Sequence, residues 1–385
     1  MGSEITLIIS ISLIIFASPL ISQKLRVPTV CIEIVLGAIC AYFLLIPKNH
    51  IFELVAELGF LYLMFLAGLE VDLKKLINIS PTILRRSLAY VAIMYFLSLI
   101  GTLYFGLGKI FIVILPLISI GLLATLKKEY GDQEWVNLGI TVGLIGEIIS
   151  IIALTTVSAG LQFGFGWDFF KTLFLFTFFM LGLLIVYKVF HNLVWWYPEI
   201  KTVLMPKDDN QEQDIRLSMA IFFLMIAIMI FLKLEVAFGA FIAGSFIVTY
   251  FEHNKALPTK LEHFGFGWLV PLFFIYVGSS FDIDSIFHDG LLVKALLITL
   301  TMLLIRLIAS TVFLSKVGKE NMVMLALSHS MPLTLLIAVA TLAYQNQSIT
   351  QFYYYAFILA SILEVLFSMV VIRLLQPRFF KNNRN

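Results

Sequence analysis

Long runs of apolar residues, separated by short polar stretches, dominate the chain from end to end. Thirteen runs are long enough, or nearly so, for the about 20 helical residues that cross a bilayer. Their approximate limits are 5–22, 28–46, 54–71, 87–107, 110–126, 136–161, 168–190, 215–232, 235–251, 266–281, 291–314, 321–344 and 351–375. The tenth run is short for a full span. The pattern predicts an all-α polytopic membrane protein with about 13 transmembrane helices.

Composition and charge exclude most other classes of protein. Of the 385 residues, 61% are hydrophobic and 13% are charged, against about 25% charged in soluble domains. The net charge of +2 leaves no basic domain for binding nucleic acid. Metal-ligand spacings, a Ser–His–Asp pattern and a Gly-rich phosphate loop are all missing from the sequence. We therefore expect a protein that is not an enzyme and has no cofactor.

Basic residues fall unevenly on the two sides of the predicted spans. Of the 26 Lys and Arg residues, 20 lie in alternate loops and the C-terminal tail, five lie in the opposite loops, and Arg306 lies within a span. Cytoplasmic loops carry the excess of Lys and Arg. The distribution predicts an odd number of spans, with the N-terminus outside and the C-terminus in the cytoplasm.

Short motifs recur in the same order in the two halves of the chain. Residues 33–41 read EIVLGAICA and residues 235–243 read EVAFGAFIA, while Pro116 and Glu147 recur as Pro332 and Glu364, at offsets that drift from 202 to 217. Recurring partners lie seven segments apart. Because seven is odd, the second copy is upside down in the membrane, as in many transporters.

The recurrence predicts four parts of the chain. Residues 1–161 form the first inverted repeat with helices 1–6, and residues 162–214 form helix 7 and a cytoplasmic linker. Residues 215–376 form the second repeat with helices 8–13, and residues 377–385 form a short cytoplasmic tail.

Proline and glycine interrupt the fifth and twelfth segments near their centres. Pro116 and Gly121 lie in the fifth segment and Pro332 lies in the twelfth. A proline removes a backbone donor, and the freed carbonyls of a broken helix can face a cation. Paired broken helices mark the binding site in inverted-repeat transporters. The alternative is a pair of ordinary kinks, since Pro and Gly are common in membrane helices.

Glu147 is the acid with the most suitable surroundings for an ion site. An ionisable group at the bilayer centre costs about 2.5–3.5 kcal/mol or more. Gly139, Gly143, Glu147 and Ser150 are spaced by 4, 4 and 3 residues and share one helix face. The small, polar face favours an ion site, and the alternative is a packing seam with a structurally paired acid.

Three other ionisable residues lie within predicted spans. Arg306 is either a permanent structural partner of a carboxylate or an intermittent partner of Glu147 when that acid is charged and empty. Glu364 is either a second titrating site or a packing contact. His329, three residues before Pro332, is either a pH-sensitive group or a polar contact.

Several motifs resemble those of a known family. Residues 58–72 read LGFLYLMFLAGLEVD, residues 119–127 read SIGLLATLK, residues 239–244 read GAFIAG and residues 271–278 read PLFFIYVG. These stretches resemble the bacterial monovalent cation:proton antiporters of the second family, the Kef and sodium/proton exchanger group. The resemblance spans essentially the whole chain.

The resemblance also has departures. Family members carry an acidic pair, or Asn-Asp or Gln-Asp, where this chain has Gly146-Glu147. Arg306 falls where the family places a Lys or Arg. Leu333, Thr334 and Leu335 replace the family's R-G-E motif.

The resemblance implies the sodium/proton antiporter fold, with two inverted six-helix repeats and crossed discontinuous helices, in a homodimer of the bacterial inner (plasma) membrane. Segments 4–6 and 11–13 would form a moving core that works by elevator-like alternating access. Glu147, Ser119 and Arg306 would bind and couple the ions, and Glu364, His329, Thr334 and Ser150 are secondary candidates.

We therefore expect a monovalent cation/proton antiporter in which Na⁺ or K⁺ competes with protons at Glu147. Loss of the first acid predicts one proton per cation and electroneutral exchange. Two alternatives stay open. One is a sodium-coupled organic anion symporter of similar fold, and the other is a non-transporting sensor homologue.

Overall fold

The described part of the chain folds into helices and contains no β-strand in the computed structural model. The structure describes residues 2–47, 49–71, 79–163, 212–232, 234, 236–251, 254, 256–281, 283 and 290–379, together with scattered positions between 166 and 199. The helices of these residues are α1 Gly2–Leu25, α2 Thr29–Tyr42, α3 His50–Glu70, α4 Pro81–Tyr104, α5 Phe111–Ile114, α6 Gly121–Tyr130, α7 Glu134–Phe163, α8 Gln213–Leu232, α9 Val236–Tyr250, α10 Leu257–Ser279, α11 Leu291–Ser310, α12 Leu314–His329, α13 Leu333–Gln345 and α14 Gln351–Phe379.

The helices agree with the predicted apolar segments. Within the described ranges, eight helical stretches are long and apolar enough to cross a membrane, and α2, α9 and α13 are shorter apolar helices. Much of the predicted seventh segment (168–190), most of the linker (162–214) and the end of the tail lie outside the described residues. The prediction of an all-α polytopic membrane fold is confirmed.

The tenth segment is longer than its apolar run indicated. Helix α10 begins at Leu257 and runs to Ser279, with a π-helical stretch at Gly265–Leu269. Lys260, Glu262 and His263 occupy its first turns, and these charges ended the apolar run early. Helix length therefore exceeds the apolar stretch because the polar turns continue the same hydrogen-bonding pattern.

The two predicted interruptions coincide with breaks in the helices. Helix α5 ends at Ile114 and α6 begins at Gly121, and residues 115–120 between them are not helical. Helix α12 ends at His329 and α13 begins at Leu333, directly after Pro332. A proline has no N–H and clashes with the preceding turn, which explains the position of both breaks.

The chain divides into two compact units. Unit 1 comprises Met1–Lys74 and Ser158–Ile283, and unit 2 comprises Lys75–Val157 and Asp284–Asn385. Unit 2 therefore contains predicted segments 4–6 and 11–13, the set that the family resemblance assigns to a core.

Within unit 1, helices α2 and α10 cross at two glycines. A Cβ on Gly37 would meet the carbonyl oxygen of Ile275, and a Cβ on Gly278 would meet the carbonyl oxygen of Ile34. The backbones therefore approach more closely than any side chain would permit. Small residues at a crossing are the usual means of close helix packing in membranes.

Helices α3 and α9 cross in the same way. A Cβ on Gly68 would meet the carbonyl oxygen of Phe241, and one on Gly244 would meet that of Phe65. The Ser245 hydroxyl donates a hydrogen bond to the Gly68 carbonyl at 3.1 Å. Backbone contacts as well as buried apolar side chains therefore stabilise each crossing.

The crossing glycines agree with the sequence repeat in one pair and differ from it in the other. Gly278 follows Gly68 by 210 residues, within the range of the sequence offsets, whereas Gly244 follows Gly37 by 207 residues. The motif pairs Gly37 with Gly239 instead, and Gly239 packs against α8 at Met225. Small residues recur so often in these helices that a motif of Gly and Ala can match one turn away from the contact.

The crossing glycines generate a prediction about stability. We expect Gly68→Ala and Gly244→Ala each to lower the melting temperature, with a cost of about 1–3 kcal/mol, because the added methyl overpacks the crossing. Gly101→Ala is the matched control, since Gly101 is also helical but has no neighbouring atom within 4 Å of an added Cβ. Equal melting temperatures for the crossing variants and the control would contradict the role of the glycines.

Candidate ion-binding site

Glu147 is fully buried in α7 and faces the first helix break. The Ser119 hydroxyl lies 3.4 Å from Glu147 Oε1, and the Ile120 N–H donates to Oε2 at 3.4 Å. Both donors belong to residues 115–120, where the helical pattern is interrupted. The break thus supplies polar groups to a carboxylate that has no access to water.

Small residues on α7 let the break pack against Glu147. An added Cβ on Gly143 would meet the side chain of Ile120, and one on Gly146 would meet the side chain of Ile118. The absence of side chains at these two positions brings the non-helical stretch onto the face of α7 that carries Glu147. Gly146, where the family usually has an acid, here has a packing role.

Arg306 pairs with Glu364 inside unit 2. Arg306 Nη1 donates to Glu364 Oε1 at 2.8 Å, and both side chains are fully buried. The pair lies between α11 and α14, which also contact through a hydrogen bond from the Thr299 hydroxyl to the Ala360 carbonyl at 3.3 Å. Arg306 thus contacts Glu364 and not Glu147 in this structure. An intermittent Arg306–Glu147 pair and a titrating role for Glu364 stay predictions.

The same guanidinium reaches the first break. Arg306 Nη2 donates to the carbonyl oxygen of Leu117 at 2.6 Å. Among the described residues, Arg306 Nε and Glu364 Oε2 reach no hydrogen-bond partner, so the pair is held through a single Arg–Glu hydrogen bond. Leu117 lies three residues before Ile120, and the break therefore supports Glu147 with a donor and Arg306 with an acceptor.

His329, the last residue of α12 before the second break, forms two hydrogen bonds. Its Nε2 lies 2.9 Å from the Gly139 carbonyl, and its Nδ1 lies 3.0 Å from the Tyr90 hydroxyl. A carbonyl only accepts, so Nε2 carries the proton, and the Tyr90 hydroxyl donates to Nδ1 of the neutral ring. Both contacts favour the interpretation of His329 as a polar contact that ties α12 to α4 and α7.

The remaining candidates lie around these groups. Ser150 is buried one turn after Glu147, near the buried hydroxyl of Tyr95. Thr334 is half-buried in the first turn of α13. The second break is held by the Ser368 hydroxyl, which donates to the Ser330 carbonyl at 3.0 Å.

The structure thus brings Glu147, Ser119 and Gly121 together at one break and attaches Arg306 to the same break. Sequence reasoning missed Tyr90 and the carbonyl of Leu117. A main-chain carbonyl carries no residue-type signal, and Tyr90 lies in a segment with no other marker of function. In the described ranges, no cluster of three or more His, Cys, Asp or Glu side chains could hold a metal ion.

Comparison with known proteins gives the family. Residues 9–376 match the family described as sodium/hydrogen exchanger, transmembrane. The chain belongs to this sodium/hydrogen exchanger family. The match covers every described helix from α2 to α13, and so both helix breaks and Glu147 lie within the matched residues.

Relatives of this chain are named as antiporters. It is 26% identical to the "Putative Na(+)/H(+) antiporter YjbQ" of Bacillus subtilis, over 98% of this chain and 64% of that protein. The chain therefore spans less than two thirds of the length of YjbQ. It is 27% identical to the "Probable Na(+)/H(+) antiporter 3" of Methanocaldococcus jannaschii, over 74% of each chain.

A solved structure has the same fold. The sodium proton antiporter MjNhaP1 from Methanocaldococcus jannaschii, determined at pH 8, superposes with a TM-score of 0.67 over 96% of this chain and 99% of that one. The sequence identity is 15%, so this likeness concerns the fold. The antiporter fold expected from the sequence is confirmed.

The buried pair generates a second prediction about stability. Glu364→Leu and Arg306→Met should each destabilise the protein by about 3–5 kcal/mol, because each leaves one buried charge without its partner. The double variant should lose much less unfolding free energy than the two single variants lose together, and thermal unfolding measures the difference.

The exposed pair of Lys127 and Asp132, 3.3 Å apart in the same unit, is the control for this double-mutant cycle. The coupling free energy of this exposed pair should be about 1 kcal/mol or less, since solvent screens exposed pairs. If the losses of unfolding free energy in the Arg306 and Glu364 variants were strictly additive, the two residues would not act as a buried pair.

Proposed function

We propose that this sodium/hydrogen exchanger exchanges a monovalent cation, Na⁺ or K⁺, for protons across the membrane, with both ions competing at Glu147. The observation that carries the proposal is a fully buried carboxylate facing a helix break in a chain of the exchanger family. A carboxylate, a hydroxyl and backbone carbonyls are hard oxygen ligands, which suit either cation.

The proposed competition follows from charge. Moving a buried carboxylate across the membrane costs much free energy when it is charged and has no ion bound. A proton or a cation on Glu147 makes the site neutral, so either loaded form can be translocated. The Ser119 hydroxyl both donates and accepts, so it can donate to the empty carboxylate and direct a lone pair toward a bound cation.

The proposed stoichiometry is one proton per cation. Gly146 carries no titratable group, and Glu364 is hydrogen-bonded to Arg306 at 2.8 Å. Because Arg306 and Glu364 balance each other's charge, Glu147 is the carboxylate at the break whose charge changes with the bound ion. Exchange is therefore electroneutral in this proposal.

The proposal includes the movement and assembly that accompany exchange. Unit 2 contains Glu147, Arg306 and both helix breaks, which supports its role as the mobile core of an elevator-like mechanism. The paired glycine crossings of unit 1 support inverted repeats at 1–161 and 215–376, whose segments outside unit 2 would form the scaffold. We also propose that the protein is a homodimer in the bacterial inner membrane, with its N-terminus outside. Residues 58–72 support its place in the Kef-related subgroup.

Exchange in proteoliposomes tests the central claim. With a pH-sensitive dye inside, addition of Na⁺, K⁺ and Li⁺ in turn across a pH series should alkalinise or acidify the lumen according to the gradient. Glu147→Gln should lower the rate to that of protein-free liposomes, because the amide is already neutral and neither ion can bind in competition. The cation with the highest rate identifies the substrate.

Glu134→Gln is the matched control, since Glu134 lies on the same helix, in its exposed first turn. It should retain the full rate. Full exchange in Glu147→Gln would refute the proposed site. Uptake of an organic anion driven by Na⁺ would favour the symporter, and no ion-driven pH change with any cation would favour the sensor homologue.

Electroneutrality has its own test. The exchange rate should not respond to a membrane potential of either sign set by a K⁺ gradient and valinomycin, with Na⁺ as the transported cation, because one charge moves in each direction. A rate that changes with the sign of the potential would contradict one-for-one exchange. Repeating the measurement with Glu364→Gln checks whether that acid carries a second proton.

A further inference from the structure

A cavity of about 400 Å³ opens at one end of helix α4 in unit 2. Its lining comes from the first turns of α4 and from the turn after α11, and consists of Pro81, Thr82, Arg85, Arg86, Ala89 and Val312. Helix α4 is a candidate membrane span, so its first turns lie at the level where lipid headgroups meet the hydrocarbon. None of its lining residues belongs to either helix break or to the proposed ion site.

Arg86 is held in a fixed orientation at this cavity. Its Nη1 donates to the carbonyl oxygen of Val312 at 3.1 Å and to the hydroxyl of Ser315 at 3.1 Å. Both acceptors are neutral, so the guanidinium is positioned without loss of its charge. A guanidinium has five N–H donors, and Arg86 therefore has donors left for a ligand.

Among the described residues, no carboxylate balances the positive charge at the cavity. Arg85 is exposed beside Arg86, and among the described residues neither arginine pairs with a carboxylate. Other basic residues of unit 2 do have acidic partners, as Lys127 with Asp132 at 3.3 Å and Arg373 with Glu129 at 3.7 Å. Two adjacent arginines in one cavity favour an anion.

The surface beside the cavity is apolar. Leu84 and Leu88, one turn apart on α4, are 38% and 46% exposed, and Leu314 is 38% exposed. In a membrane, this surface contacts acyl chains. An anion with acyl chains attached would place its charge in the cavity and its chains on these leucines.

We propose that the cavity binds a phosphate group, through Arg85 and Arg86, with the Thr82 hydroxyl as a further donor. Arginine matches the geometry of phosphate oxygens, and basic pockets at the ends of membrane helices bind phosphorylated headgroups. The phosphate has two sources, the headgroup of an anionic lipid and free phosphate from solution, and the apolar surface beside the cavity favours the lipid.

Native mass spectrometry of the whole protein in detergent tests the site. Dioleoyl phosphatidylglycerol is titrated against dioleoylglycerol, which has the same chains and no phosphate, and inorganic phosphate is titrated separately. We expect saturable binding of phosphatidylglycerol, about tenfold weaker in Arg85→Gln, which is the loss expected for one charge-assisted contact of about 1.4 kcal/mol.

Arg216→Gln is the matched control, because Arg216 is exposed in the first turns of α8 and lies outside the cavity. It should bind phosphatidylglycerol like the unchanged protein. Arg85→Gln removes no hydrogen bond within the protein's described residues, so its melting temperature should be unchanged, and Arg86→Gln serves as a second variant.

Each outcome decides the proposal. Binding of phosphatidylglycerol without binding of inorganic phosphate assigns the site to a lipid headgroup, and binding of both that is lost in Arg85→Gln assigns it to phosphate from either source. Equal binding of dioleoylglycerol, or unchanged binding in both arginine variants, would overturn the proposal. The readout requires no transport, so failure of the exchange assay leaves it unaffected.

Discussion

The structure depends on the cost of leaving a polar group without a partner inside the membrane. Each buried group must find its hydrogen bonds within the protein, because the hydrocarbon offers none. The first helix break, residues 115–120, satisfies two such groups at once. The Ile120 N–H donates to Glu147, and the Leu117 carbonyl accepts from Arg306. The same four-residue stretch, 117–120, therefore supports an acid and a base.

This arrangement separates two kinds of buried charge. Arg306 and Glu364 form a buried pair whose charges offset each other. Glu147 receives hydrogen bonds from neutral groups of the break, and in the proposed exchange its charge is balanced by a proton or a cation in turn. His329, held by Gly139 and Tyr90, ties the second break to the helix that carries Glu147. In the proposed exchange, one break serves the ion site and the other holds the helix that carries Glu147.

Most of the helices could be predicted because an apolar run of about 20 residues has few other folds available in a membrane. Both breaks were also predictable, since proline ends a helix by its own covalent structure. The start of α10 was not predictable, because its first turns contain Lys260, Glu262 and His263 and so lie outside the apolar run. The pairing of Gly37 with Gly244 was not predictable either. Gly239 and Gly244 look alike in sequence, and only contact with α3 distinguishes them.

The sequence by itself determined the class of protein, the breaks at Pro116 and Pro332, and the buried acid on a face of small residues. Local covalent geometry and the apolar environment are enough for these. Only the tertiary structure decided that Arg306 pairs with Glu364 and that its second nitrogen holds the Leu117 carbonyl. Several acids lie within spans, and a sequence does not encode which of them an arginine 58 residues away will reach. Partner choice depends on helix packing in three dimensions, which brings α11 beside α14.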